Sequence, residues 1–149
     1  MSNQAVGKLI EILLVEDSLT DASLTIAALK KGSIQHRLTL VRDGAEALEF
    51  LHRQGKFSRA PRPDLILLDL LLPQKSGLEV LGEVRGDNGL HAIPVVVLTA
   101  SDDEDDLVEC ERLNVQSYIT KPVNLAKFLG VVKQLKSYWH KDLILPALD

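Results

Sequence analysis

Short runs of leucine and β-branched residues alternate along the chain with longer segments whose apolar positions recur every three or four residues. The runs are Leu9 to Val15, Arg37 to Val41, Leu65 to Asp69, Val95 to Thr99 and Ser117 to Ile119. Three are almost wholly apolar, as strands buried on both faces are, so the alternation predicts a parallel sheet with helices on either side. Those helices are predicted over Thr20 to Lys31, Gly44 to Gln54, Gly77 to Arg85, Glu104 to Leu113 and Leu125 to Trp139. In the last, Leu125, Phe128, Leu129, Val132, Leu135 and Trp139 make one buried stripe at helical spacing.

Local signals agree with these boundaries. Thr20 before Asp21-Ala22, and Asp43 before Gly44-Ala45-Glu46, offer helix starts with a carboxylate in the first turn. Gly32 and Gly55 are natural helix stops. The longest connection, Gln54 to Pro63, carries Lys56, Arg59 and Arg62 and is expected as an exposed loop. The run Asp102 to Asp106 is expected as the acidic start of the fourth helix.

Composition narrows the function. With 149 residues, 46% hydrophobic and 26% charged, the chain is expected to form one soluble domain with a proper core. A net charge of −4, a pI near 5.6 and scattered basic residues argue against nucleic acid as the main partner. The first residues lack a leader's layout, and Glu11 and Asp69 interrupt the apolar stretches short of a membrane span. A cytoplasmic location without membrane contact is therefore expected. Cys110, the single cysteine, has no internal disulfide partner and is expected in helix packing. His36, His52, His91 and His140 show no metal-ligand spacing.

The chemistry centres on Asp69, a lone carboxylate in the run Leu65-Ile66-Leu67-Leu68-Asp69-Leu70-Leu71-Leu72-Pro73. Burying a charge without partners is costly, so Asp69 is placed where the strand leaves the core. In open parallel sheets ligands bind at the carboxyl ends of strands, and every unusual polar residue falls at such an end. These are Glu16-Asp17 after the first strand, Asp69 after the third, Thr99 after the fourth and Thr120-Lys121-Pro122 after the fifth. Three ionised carboxylates in a small space require a cation, and an all-oxygen set suits Mg²⁺. Thr99 and Lys121 suit phosphoryl oxygens, which makes Asp69 a nucleophile that forms an aspartyl phosphate.

Four fragments in order, Leu14-Val15-Glu16-Asp17, Leu67 to Pro73 with Ser76-Gly77, Val97-Leu98-Thr99-Ala100 and Tyr118-Ile119-Thr120-Lys121-Pro122, resemble the receiver domain of two-component response regulators. The resemblance covers residues 8–139 and leaves 140–149 as a tail. It implies a doubly wound, flavodoxin-like α/β fold with five parallel strands in the order 2-1-3-4-5. It further implies Asp69 as phosphoacceptor for a sensor histidine kinase. Mg²⁺ would be held by Asp17, Asp69 and the Leu71 backbone carbonyl, with Glu16 acting through water. Thr99 and Tyr118 resemble the switch pair, Lys121 would hold the phosphoryl oxygens, and the Lys121-Pro122 bond is expected cis. Output is expected through protein contacts at the face of helix four, strand five and helix five, which also serves a homodimer. The tail residues Leu143-Ile144-Leu145-Pro146 are expected to share that contact.

Glu16 stands where Asp is commoner, and Leu71 where many relatives carry Asn or Met. Leu71 and Ser101 are therefore expected to tune the lifetime of the phosphorylated state. A narrower resemblance is to single-domain regulators paired with phytochrome-type light-sensing kinases. Two rival readings are weaker. A dehalogenase-type phosphatase needs an acid two residues after the nucleophile, where Leu71 has no proton to give. A phosphorylation-independent scaffold has no use for the complete set Asp17, Asp69, Thr99 and Lys121. The chain is thus expected to be a signalling protein that promotes its own phosphorylation and dephosphorylation, not a turnover enzyme.

Overall fold

The computed structural model describes residues 9–135. The Trp139 end of the last predicted helix and the tail 140–149, with its expected dimer contact, lie outside the described residues. In chain order the elements are β1 (Ile10–Val15), α1 (Leu19–Lys31), β2 (His36–Val41), α2 (Gly44–Leu51), a 3₁₀ turn (Gly55–Phe57), β3 (Leu65–Leu68), α3 (Gly77–Gly86), β4 (Val95–Thr99), α4 (Glu104–Arg112) and β5 (Ser117–Thr120). A last helix, α5, occupies 125–135.

The five strands form one parallel sheet in the order β2-β1-β3-β4-β5. Side chains alternate across a strand, so each central strand feeds two cores. Leu13, Val15, Ile66, Leu68, Val95 and Val97 face α2, α3 and α4, meeting Leu51, Leu81 and Cys110. Ile12, Leu14, Leu65, Leu67, Val96 and Leu98 face α1 and α5, meeting Leu29, Phe128 and Val132. β3 and β4 are buried at every position, which explains their lack of polar alternation. The edge strands β2 and β5 are partly exposed and carry the polar residues that an edge permits.

Several boundaries differ from the sequence expectation. α1 starts one residue earlier, at Leu19, because Ser18, not Thr20, caps it and accepts a hydrogen bond from the Asp21 N–H. Gly32 caps α1 but sits at φ −78°, and the left-handed residue is Ser33 at φ 60°. Gly32 is small for packing instead, since a Cβ there would stand 2.6 Å from Leu129 Cδ2. α2 ends at Leu51, not Gln54, where Arg53 turns left-handed at φ 55°. The 54–63 connection is not simply an exposed loop. Its 3₁₀ turn docks Phe57 edge-on against Phe50, with ring centroids 5.3 Å apart, an arrangement aromatic quadrupoles favour.

Candidate functional site

The site is built by ladders that run one residue past each strand. Glu16 N–H donates to the Val41 carbonyl, Asp69 N–H to Val15 and Lys121 N–H to Thr99. Parallel registers put these ends level, with Val15 beside both Val41 and Leu68, and Thr99 beside Thr120. Glu16, Asp69 and Lys121 therefore emerge together at the carboxyl edge, where the strand order reverses between β1 and β3.

Lys121 Nζ is the hub of this cluster. It lies 2.8 Å from Glu16 Oε1, 2.8 Å from Asp21 Oδ2 and 3.0 Å from Asp69 Oδ2. Asp69 is buried, 6% exposed, and its other oxygen accepts the Leu71 N–H at 3.0 Å, which closes a tight turn and orients the carboxylate. Glu16 is also buried, and its Oε2 accepts the Ser18 N–H at 3.1 Å. The Leu71 side chain points outward and is 57% exposed beside Asp69. The Lys121-Pro122 bond is cis, as expected.

Charge explains the protonation preferences. Burial raises the Glu16 carboxyl above its ordinary value, and the hydrogen bond from Lys121 and the Ser18 N–H only partly offset this. Burial disfavours the Lys121 ammonium, yet hydrogen bonds to Asp21, Glu16 and Asp69 more than compensate and raise its pKa. The lysine is thus a fixed positive charge at every physiological pH.

Thr99 closes β4, fully buried, and its Oγ1 accepts the Ser101 N–H at 3.3 Å. Tyr118 packs against the α2–α4 core and its hydroxyl donates to the Ser101 carbonyl at 2.8 Å. Ser101 Oγ in turn donates to Asp106 at 2.6 Å. Thr99, Ser101 and Tyr118 are therefore linked through one short loop between the site and the first turn of α4.

Asp17 stands apart from the cluster. Its side chain is exposed and makes no hydrogen bond to Glu16, Asp69 or Lys121, while Arg42 clamps its carbonyl at 2.8 and 3.2 Å. Among the described residues no three acidic, His or Cys side chains converge closely enough to hold a metal ion alone. The donor chemistry nevertheless fits a hard divalent cation. Glu16, Asp21 and Asp69 around one ammonium leave two net negative charges, and all available ligands are oxygens. Mg²⁺ habitually takes one or two carboxylates and fills the rest of its shell with water and phosphate oxygens.

Two participants escaped the sequence reading. Asp21 reads in the sequence as an ordinary first-turn acid, yet it is a third partner of Lys121. Its signal was its place three residues after the true cap, Ser18, on the turn that overhangs the end of β1. Arg42 sits directly after β2 and reaches across to the Asp17 backbone. Nothing in its local sequence marks it.

A parallel sheet in this order, with an acidic cluster and one lysine at the reversal point, has the build of a receiver, a module that signals through phosphorylation. The chain belongs to the response regulator receiver domain family, whose model matches residues 12–133. It is 47% identical over 136 residues to response regulator Rcp1 of Synechocystis sp., covering 91% of this chain and 92% of that relative. Its fold matches the crystal structure of the Mn(2+)-bound form of response regulator Rcp1 with a TM-score of 0.76, at 47% identity over 87% of this chain and 94% of that one. It also matches the phosphorylated cyanobacterial phytochrome response regulator RcpA with a TM-score of 0.77, at 45% identity over 89% of this chain and 94% of that one. Among the described residues no helix is long and apolar enough to cross a membrane.

Proposed function

We propose that Asp69 accepts a phosphoryl group from the phosphohistidine of a sensor histidine kinase and that this charge resets the surface around α4. The observation that carries this reading is the bond from Lys121 Nζ to Asp69 Oδ2, a buried carboxylate already facing the cation that would hold phosphoryl oxygens. An Asp69 oxygen attacks phosphorus, the phosphorus–nitrogen bond breaks, and the donor imidazole keeps the electron pair and takes up a proton. In the reverse sense of signalling, water attacks phosphorus, the bond to Asp69 breaks, and carboxylate and inorganic phosphate result. Both steps need positioning and charge neutralisation more than proton transfer.

Asp17, Asp69 and the Leu71 carbonyl, with Glu16 behind a water, would hold Mg²⁺, which supplies neutralisation of the phosphoryl charge when bound. The Mn²⁺ form of Rcp1 and the phosphorylated form of RcpA support both assignments by similarity. RcpA is described as a phytochrome response regulator, and RtBRR, 44% identical, as a bacteriophytochrome one. A phytochrome-type kinase is accordingly the partner we assign.

Thr99 and Tyr118 form the switch, because both already bond to Ser101 in the loop that leads into α4. Leu107 and Val108 on α4 are exposed apolar residues, 42% and 60%, which suits a partner or a second copy at the α4–β5–α5 face. Leu71 and Ser101, beside Asp69 and Thr99, tune the lifetime of the phosphorylated state. Incubation with labelled acetyl phosphate and Mg²⁺ should give a base-labile label, absent in Asp69→Asn. Failure of the unaltered chain to take label, or equal labelling of the variant, would overturn the reading.

A further inference from the structure

Lys121 has three ammonium hydrogens, and three carboxylates use all of them. It can donate to a phosphoryl oxygen only by giving up a present partner. The three partners are not equivalent. Asp69 loses its charge at the bonding oxygen once it becomes an acyl phosphate, so that bond weakens without competition. Glu16 is buried and held by its second oxygen on the Ser18 N–H. Asp21 lies on the solvent side of the lysine, 38% exposed, on α1.

The local structure shows that Asp21 is not there to cap its helix. An acid at the third helical position commonly reaches back to the N–H of the capping residue. In α1 that N–H, on Ser18, already donates to Glu16 Oε2 at 3.1 Å. The Asp21 side chain is released from the capping role and turns to Lys121 at 2.8 Å. The equivalent acids of α2 and α3 do keep local bonds: Glu79 accepts the N–H of its cap Ser76, and Glu46 accepts the N–H of Arg42, the residue before its cap Asp43.

We propose that Asp21 is a positioning residue that competes with the phosphoryl group for the Lys121 ammonium, weakening the site's hold on phosphate and shortening the phosphorylated state. The inference rests on Asp69 being the phosphoacceptor. Its carboxylate also places a like charge beside the incoming phosphoryl oxygens, which repels them. Phosphorylation relaxes the bond to Asp69 and frees one ammonium hydrogen, and removing the Asp21 charge loosens a second for the phosphoryl oxygens, where charge-assisted bonds are the strong ones.

The test measures labelling by acetyl phosphate with Mg²⁺ across donor concentrations, then loss of label after donor removal, in the unaltered chain, Asp21→Asn, Asp21→Glu and Asp69→Asn. In Asp21→Asn the half-saturating donor concentration should fall and label loss should slow, each by roughly threefold to tenfold, with a smaller effect on the maximal rate. Asp21→Glu, which keeps the charge, should return both values toward the original. A role confined to helix stability would lower the thermal midpoint without this split. Unchanged or faster label loss in Asp21→Asn, with Asp69→Asn unlabelled, would overturn the role of Asp21 alone. Labelling of Asp69→Asn would overturn the phosphoacceptor reading, and the competition with it.

Discussion

Gly77 shows how a residue without a side chain can control a site. A Cβ at this position would stand 2.5 Å from the Leu70 Cα and overlap the Asp69 carbonyl oxygen. The Gly77 N–H also donates to the Leu70 carbonyl at 3.0 Å, so α3 begins pressed against the turn that carries Asp69. Gly77→Ala should therefore cost about 1–3 kcal/mol of stability by overpacking. It should also reduce Asp69 labelling, because the turn must shift. A urea midpoint equal to that of the original, with full labelling, would refute this. Glu16, Asp69, Thr99 and Lys121 were legible in the sequence because each polar residue interrupts or closes an apolar run. Asp21 and Arg42 were not, since their significance depends on partners brought in by the fold.

α3 illustrates how short local signals hold an element in place. Ser76 and Glu79 form a reciprocal cap, with the Glu79 N–H donating to Ser76 Oγ at 3.2 Å and the Ser76 N–H donating to Glu79 Oε1 at 3.0 Å. The helix buries Val80, Leu81 and Val84 against the sheet, so its start fixes how the Asp69 turn leaves β3. Ser76→Ala should lower stability by about 1 kcal/mol, read as a reduced thermal midpoint with the circular-dichroism spectrum preserved. An unchanged midpoint would show that the cap is dispensable. All five strands were readable from the apolar runs and helix identity from periodicity, while their order in the sheet followed from the family resemblance. The ends were less readable where distant packing decided them. α2 stops at Leu51, and the following turn is pinned by Phe57 on Phe50, a contact no local pattern announces.

Two apolar cores lie on opposite faces of the sheet, and Cys110 reports on one of them. Its side chain is fully buried, and burial pushes the thiol from its ordinary value of 9.0 up to about 11, with Asp106 and Glu109 adding repulsion. At pH 8 a thiol reagent should label the folded chain far more slowly than the urea-unfolded one, with labelling rising as the fold opens. Rapid native labelling would contradict this burial. The sign of the linkage follows. The folded state keeps the thiol proton where the unfolded state loses it, so this contribution is intact below pH 9 and declines as pH rises toward 11. Chain order and apolar periodicity alone settled the layered α/β class and marked four of the strand-end groups, because burial on two faces leaves a continuous apolar signature in each strand. The sharing of Lys121 among Glu16, Asp21 and Asp69 came from parallel register and the α1 overhang, which bring groups 52 to 105 residues apart within 3.0 Å. Electrostatic coupling falls off with distance in space, not along the chain, so that arrangement exists only once the sheet has formed.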